Sequence, residues 1–185
     1  MSLTKTPICD FGKKAEDFKL KSTNNKFFTL NDVKGDKGTL VMFICNHCPY
    51  VKAVISDIVN DCKLLQNLDV SSVAICSNDV INYPEDSFDK MIEFSNLNNF
   101  NFPYLHDETQ GIARKFDAVC TPDFFGYNKD LELQYRGRVR ELKKLIPVRD
   151  GDSDLLKAMM QIAETNKGPE NQIPSAGCGI KWKTN

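Results

Sequence analysis

The sequence predicts an α/β domain in which a central sheet is covered by helices. Three observations carry that expectation. Apolar runs of strand length alternate with stretches whose apolar residues recur at helical spacing. Two of the runs, residues 40–44 and 70–76, are apolar almost throughout, as strands covered on both faces must be. Between them, Val51, Val54, Ile55, Ile58, Cys62 and Leu65 form one helical stripe.

In chain order, residues 1–15 are polar with isolated apolar positions and read as an N-terminal arm. Residues 18–21 alternate, 22–25 are turn-like and 27–30 are β-prone, which predicts a hairpin. After a polar connection come the strand at 40–44 and the helix. Pro49 is tolerated only in the first helical turn, so that helix should begin near Asn46 or Cys48, with Asn46 a candidate cap. Residues 87–97 and 109–116 predict further helices around a short strand at 102–105. Thr121-Pro122 interrupts before a strand at 124–127, a turn at 128–130 and a returning strand at 131–135. Residues 153–164 carry the last helical stripe. The tail from Gly168 onward, with Pro169 and Pro174, reads as an extension rather than a core element.

Composition narrows the function. Net charge is −1, and neither a basic patch nor basic-aromatic interleaving is present, so nucleic acid and anionic membranes are not expected partners. No stretch has the length and apolarity of a membrane span, and the first residues lack the apolar run of a signal peptide, which predicts a cytoplasmic protein. Seven scattered cysteines do not form the framework of a small secreted fold, and most are expected as thiols.

The chemistry is expected at Cys45-Asn46-His47-Cys48, where a buried strand delivers a Cys-x-x-Cys pair to a helix start. Unpaired N–H groups and the positive end of the helix dipole favour an ionised sulfur there. The pair points to thiol–disulfide exchange, with Cys45, nearer the surface, attacking as thiolate and Cys48 resolving. His47 is either a cation that stabilises the thiolate or an exposed first-turn histidine without a role. Cys178, in the tail, is either a resolving thiol or a docked structural cysteine. Cys120 precedes Thr121-Pro122 and is either near the pair or simply packed. Cys62 and Cys76 read as small inert hydrophobes. Arg136 and Arg138 suit a solvated strand end better than a thiolate partner.

The order strand, Cys-x-x-Cys, helix, Thr121-Pro122, hairpin, closing helix resembles the thioredoxin fold. The resemblance implies a mixed sheet flanked by helices over residues 1–167, with an N-terminal hairpin extension and a C-terminal tail at 168–185. It also implies a cis-Pro122 facing the pair, with Thr121 beside it. Phe43 to Lys52, Thr121-Pro122-Asp123-Phe124-Phe125, Tyr135-Arg136-Gly137-Arg138 and the tail from Pro174 to Trp182 are similar to the peroxiredoxin-like branch, alkyl hydroperoxide reductase or thiol-specific antioxidant. That likeness implies an antioxidant role in redox homeostasis, with a protein or small-molecule disulfide, or a hydroperoxide, as substrate and no cofactor. One departure stands out. Peroxiredoxins carry Pro-x-x-x-Thr/Ser-x-x-Cys, and with Cys48 aligned to the peroxidatic cysteine, Val41 and Cys45 occupy the proline and threonine positions.

Thiol-dependent peroxide reduction is therefore the alternative. Metal binding by Cys45, Cys48 and His47 or His106 is less favoured, because a structural zinc site wants a second close pair. A non-catalytic thiol module is the remaining reading. Oligomeric state is not legible.

Overall fold

The computed structural model describes residues 3–184. Along the chain run β1 (Leu3–Lys5), β2 (Lys19–Ser22), β3 (Phe27–Thr29), β4 (Gly38–Phe43), α1 (Pro49–Gln66), β5 (Val70–Cys76), α2 (Phe88–Leu97), β6 (Tyr104–His106), α3 (Gly111–Lys115), β7 (Cys120–Thr121), β8 (Asp123–Asn128), β9 (Leu133–Tyr135), β10 (Leu142–Lys143), β11 (Ile146–Pro147), α4 (Asp154–Thr165) and β12 (Ala176–Gly179).

Every residue of β4 is buried, so the strand needs cover on both faces. Side chains alternate along a strand, which divides the apolar interior in two. Leu40, Met42 and Ile44 join one cluster with Val51, Ile58 and Leu65 of α1 and with Leu155, Met159 and Ile162 of α4. Val41 and Phe43 join the other with Phe18, Val33, Val73, Ala113, Phe116 and Phe125. Phe43, Phe116 and Phe125 meet edge to face at 5.5–5.8 Å between ring centroids, the arrangement their quadrupoles favour.

The main sheet has seven strands in the order β3-β2-β6-β5-β4-β8-β9. It is mixed: β4 is parallel to β5 and antiparallel to β8, and β5 is parallel to β6. The parallel β4/β5 pair has α1 as its crossover, so the C-terminal ends of both strands open on the same edge. Cys45 follows one of them and the loop reaching Asp86 follows the other. No helix among the described residues is long and apolar enough to cross a membrane.

Three expectations are corrected. Asn46 does not cap helix α1, which begins at Pro49, where the proline placed it, with Cys48 as its N-cap. The arm at 1–15 contains β1. The tail is not a mere extension, because β12 is the middle strand of a three-stranded sheet, β1-β12-β7, and Cys178 and Ile180 are buried. A four-residue strand rich in glycine and alanine has little apolar signal of its own. Its burial comes from partners far away in sequence.

Ile58 is fully buried where α1 meets the sheet. Ile58→Ala should destabilise the protein by about 2–5 kcal/mol, read as a lower urea midpoint at unchanged slope.

Candidate active site at the start of helix α1

As β4 ends, the chain passes through buried Ile44 and Cys45 and enters α1 at Pro49. Cys48 is extended (φ −65°, ψ 122°) at the N-cap. It makes no full capping hydrogen bond, yet the backbone N–H of Val51 lies close enough to favour the ionised sulfur. The cysteines are exposed by only 1% and 0%, so Cys45 is not the surface thiol expected from its place in the motif. Whatever lowers a thiol pKa here must overcome desolvation.

For Cys48 it does. Its pKa is lowered to about 5, first by hydrogen bonding from the Cys45 thiol and then, against burial, by the N–H groups of Val51 and Cys178 and the Thr121 side chain. One contact opposes this: the protonated sulfur can donate to the Thr121 carbonyl at 3.1 Å. Cys45 is pushed the other way, well above the usual thiol range, by its hydrogen bond to Cys48, by burial and by the Asp86 charge. Its sulfur lies 3.3 Å from the Thr121 hydroxyl and 4.0 Å from His47 Nδ1. The donors around Cys48 thus favour its ionised form, while burial and the Asp86 charge disfavour that of Cys45. The Thr121–Pro122 peptide beside them is cis, as the resemblance implied.

His47 is tied down rather than exposed. Its Nδ1 lies 2.6 Å from Asp86 Oδ2, and its ring stacks on Tyr83 at 5.5 Å. Fully buried Asp86 is well supplied with donors. Its Oδ1 accepts the backbone N–H of Asn46 (2.8 Å) and of His47 (3.2 Å), and its Oδ2 also accepts Asn78 Nδ2 (2.7 Å). Burial alone would raise the Asp86 pKa, but His47 and Asn78 hold it below the ordinary carboxylate value. The same pair raises the His47 pKa, the hydrogen bond to Asp86 outweighing burial. Asn46 serves this frame, donating to the Glu85 carbonyl and accepting from Tyr104 Oη.

Cys45, His47 and Asp86 offer one ligand atom each, all within 4.8 Å of one another, the one such group of metal-ligating side chains among the described residues. The Asp86 oxygens already accept four hydrogen bonds and His47 Nδ1 is engaged, so a cation would have to displace bonds already made. The geometry is that of a hydrogen-bonded cluster.

Sequence comparison bears on the site from outside. Residues 11–142 match the AhpC/TSA family. The chain belongs to that family. Among solved structures it is similar to an uncharacterized conserved protein from Geobacillus kaustophilus, 39% identical over all of this chain and 98% of that one, with a TM-score of 0.95. A hypothetical protein from Sinorhizobium meliloti is 30% identical over both whole chains, with a TM-score of 0.90. A thiol:disulfide interchange protein of the thioredoxin family from Chlorobium tepidum is similar in fold, at 17% identity over 68% of this chain and 84% of that one and a TM-score of 0.58. No curated protein matches. The fold is thioredoxin-like.

In this AhpC/TSA chain, Thr121, Pro122, Cys178 and the Cys45–Cys48 pair come together. Cys120 is buried beside Thr121, its sulfur 3.5 Å from the Pro122 carbonyl, and its pKa is raised strongly by burial. Cys62 and Cys76 are buried with pKa values pushed up to about 12, as inert thiols are. Arg136 is not at a solvated strand end. It is buried in an ion pair with Asp123 at 3.0 Å, while Arg138 pairs with Asp154 at 2.7 Å, so both guanidinium groups are committed to carboxylates. Asp86, Asn78, Tyr83 and Tyr104 were not singled out in the sequence. The available signal was positional: polar residues following a parallel strand gather at the carboxyl edge where sites form.

Two clefts flank the helix start. One, of about 430 Å³, includes Tyr50, Val54 and Pro122 with Lys5, Arg138 and Lys144, and the other, of about 410 Å³, includes Asn46, His47, Lys52 and Phe94.

Asp86→Asn removes the charge that holds the His47 proton. The His47 pKa should fall to or below the ordinary value of about 6.5, read by NMR titration of its ring protons; an unmoved value would show that Asp86 does not set it.

Proposed function

We propose that the protein is a thiol–disulfide oxidoreductase working through Cys45 and Cys48, with Cys48 as the attacking thiolate. The observation that supports this reading is the set of donors around the Cys48 sulfur, namely the Val51 N–H in the first turn of α1, the Cys178 N–H and the Thr121 side chain, whereas Cys45 is buried beside the Asp86 charge. The Cys48 thiolate attacks one sulfur of a substrate disulfide, forming a mixed disulfide and expelling the other sulfur as a thiolate. Cys45 then gives up its proton and attacks Cys48 Sγ, releasing the second substrate thiol and leaving a Cys45–Cys48 disulfide. The departing substrate thiolate takes up that proton, and protonated His47, held by Asp86 with its Nδ1 4.0 Å from Cys45 Sγ, favours the thiolate that forms there. The roles are the reverse of those expected from the order Cys45 then Cys48, because N-terminal N–H groups and the Cys45 proton both act on the second sulfur. A protein or small-molecule disulfide is the substrate class. The cysteine pattern suits a reducing, cytoplasmic setting and a part in redox homeostasis.

A second reading, reduction of a hydroperoxide, is favoured by the burial of both sulfurs, which admits a small oxidant more readily than a folded protein. The Thr121 hydroxyl, 3.3 Å from Cys45 Sγ, supplies from strand β7 the kind of hydroxyl that the motif lacks at position 45. Oxidation by hydrogen peroxide no faster than that of free cysteine removes this reading; a much faster rate that is lost in Cys48→Ser establishes it.

The exchange reading is tested with an aryl disulfide. With Cys178 also replaced by serine, Cys45→Ser should keep a stable mixed disulfide on Cys48, whereas Cys48→Ser should lose exchange at mildly acidic pH. A thiolate with a pKa of about 5 gains little speed at neutral pH over an ordinary thiol, because its nucleophilicity falls as its pKa falls. Its signature is instead the pH profile. The wild-type rate should stay nearly flat from about pH 8 to about pH 6, where a free thiol slows about a hundredfold. A rate that follows the free-thiol profile would contradict the assignment of the thiolate to Cys48.

A further inference from the structure

We infer that Cys178 is a third redox thiol, so that Cys48 is the shared sulfur of two alternative disulfides, Cys45–Cys48 and Cys48–Cys178. The inference rests on the exchange reading above and adds a step to it.

The geometry centres on Thr121. Its carbonyl oxygen lies 3.1 Å from Cys48 Sγ and its hydroxyl 3.3 Å from Cys45 Sγ, and its direct cross-strand partner in the antiparallel β7/β12 pair is Cys178. The Cys178 side chain is hydrogen-bonded to Cys48, and its backbone N–H favours the ionised Cys48 sulfur. Cys178 is buried, exposed by only 3%.

The tail is built to hold this position. Before Cys178, Ser175 Oγ donates to the Pro122 carbonyl at 2.8 Å, and the Thr6 N–H donates to the Ser175 carbonyl at 2.9 Å. After it, the Lys181 N–H donates to Asn78 Oδ1 at 2.9 Å and the Lys181 carbonyl accepts Gln110 Nε2 at 2.8 Å. Asn78 is the residue that also donates to Asp86, so the tail is anchored to the frame of His47. Gly177 permits the close approach: a Cβ there would drive into the Thr121 carbonyl and approach the Pro122 ring. A thiol fixed on both sides against a reactive sulfur has already lost most of the freedom that a reaction between them would cost.

The step is an internal exchange. The Cys178 sulfur, on losing its proton, attacks Cys48 Sγ of the Cys45–Cys48 disulfide. The Cys48–Cys178 bond forms as the Cys45–Cys48 bond breaks, and the electron pair goes to Cys45 Sγ, which takes up a proton. No oxidant beyond the one that formed the first disulfide is consumed. The result ties β12 covalently to the start of α1 and returns Cys45 to the thiol.

The test oxidises the full-length reduced protein with one equivalent of diamide, quenches with acid, blocks residual thiols and maps disulfide-linked peptides by mass spectrometry without reduction. Wild type should yield both Cys45–Cys48 and Cys48–Cys178 peptides. Cys178→Ser should lose only the second, and Cys45→Ser should yield Cys48–Cys178 as its intramolecular linkage. Circular dichroism confirms that the variants are folded, and the wild-type map stands without them. Cys45–Cys48 alone in wild type, with no intramolecular Cys48–Cys178 linkage in Cys45→Ser, overturns the third thiol and leaves the exchange reading intact. Absence of the Cys45–Cys48 linkage from both wild type and Cys178→Ser overturns the exchange reading and this inference with it.

Discussion

The arrangement depends on how a sulfur can be ionised while buried. Desolvation opposes a thiolate at Cys48, and only donors aimed at that sulfur reverse the sign. The fold supplies them from three directions. Helix α1 offers the N–H of its first turn because Pro49 starts the helix immediately after Cys48. The chain just before it offers the Cys45 thiol. The β7 and β12 strands, joined across Thr121 and Cys178, offer a hydroxyl and a further N–H. Remove any one and burial, which raises the pKa of every other buried cysteine in the chain, gains on the rest.

The Asp86 frame answers a second need. The junction between β4 and α1 leaves the backbone N–H groups of Asn46 and His47 pointing inward, where an unmet donor is costly. Asp86 takes both and uses its remaining capacity on His47 and Asn78. After the hydrogen bond to Cys48 and burial, its negative charge adds to what raises the Cys45 pKa. A structural carboxylate thereby disfavours a thiolate at Cys45.

Much of the fold was legible because β4 and α1 announce themselves locally. A run with no polar residue needs two covering layers, and a 3.6-residue stripe after a proline fixes where the helix starts. The cis-Pro122 loop was legible only through resemblance, since Thr121-Pro122 alone carries no such signal. The role of the tail was hidden because Ala176 to Gly179 has almost no apolar side-chain surface, and its strand exists by pairing with β1 near the N-terminus and with β7, both far away in sequence. Asp86 was hidden for a related reason: a loop acid becomes a buried organiser only when the parallel β4/β5 pair brings two strand ends together. The order of roles within Cys45–Cys48 could not be read from spacing at all. The order proposed for them rests on which sulfur the Val51 and Cys178 N–H groups act on.

A reduced state held as a stable Cys48 thiolate makes the disulfide the less favoured member of the couple. The most direct measurement of that central claim is the reduction potential of the Cys45–Cys48 couple, taken by equilibration with glutathione buffers in the Cys178→Ser protein so that a single disulfide is read. The expected value is clearly more oxidising than thioredoxin's, toward about −180 to −120 mV, the range of isomerases and oxidases. A potential at or below about −270 mV would mean that the Cys48 thiolate is not stabilised in the reduced protein.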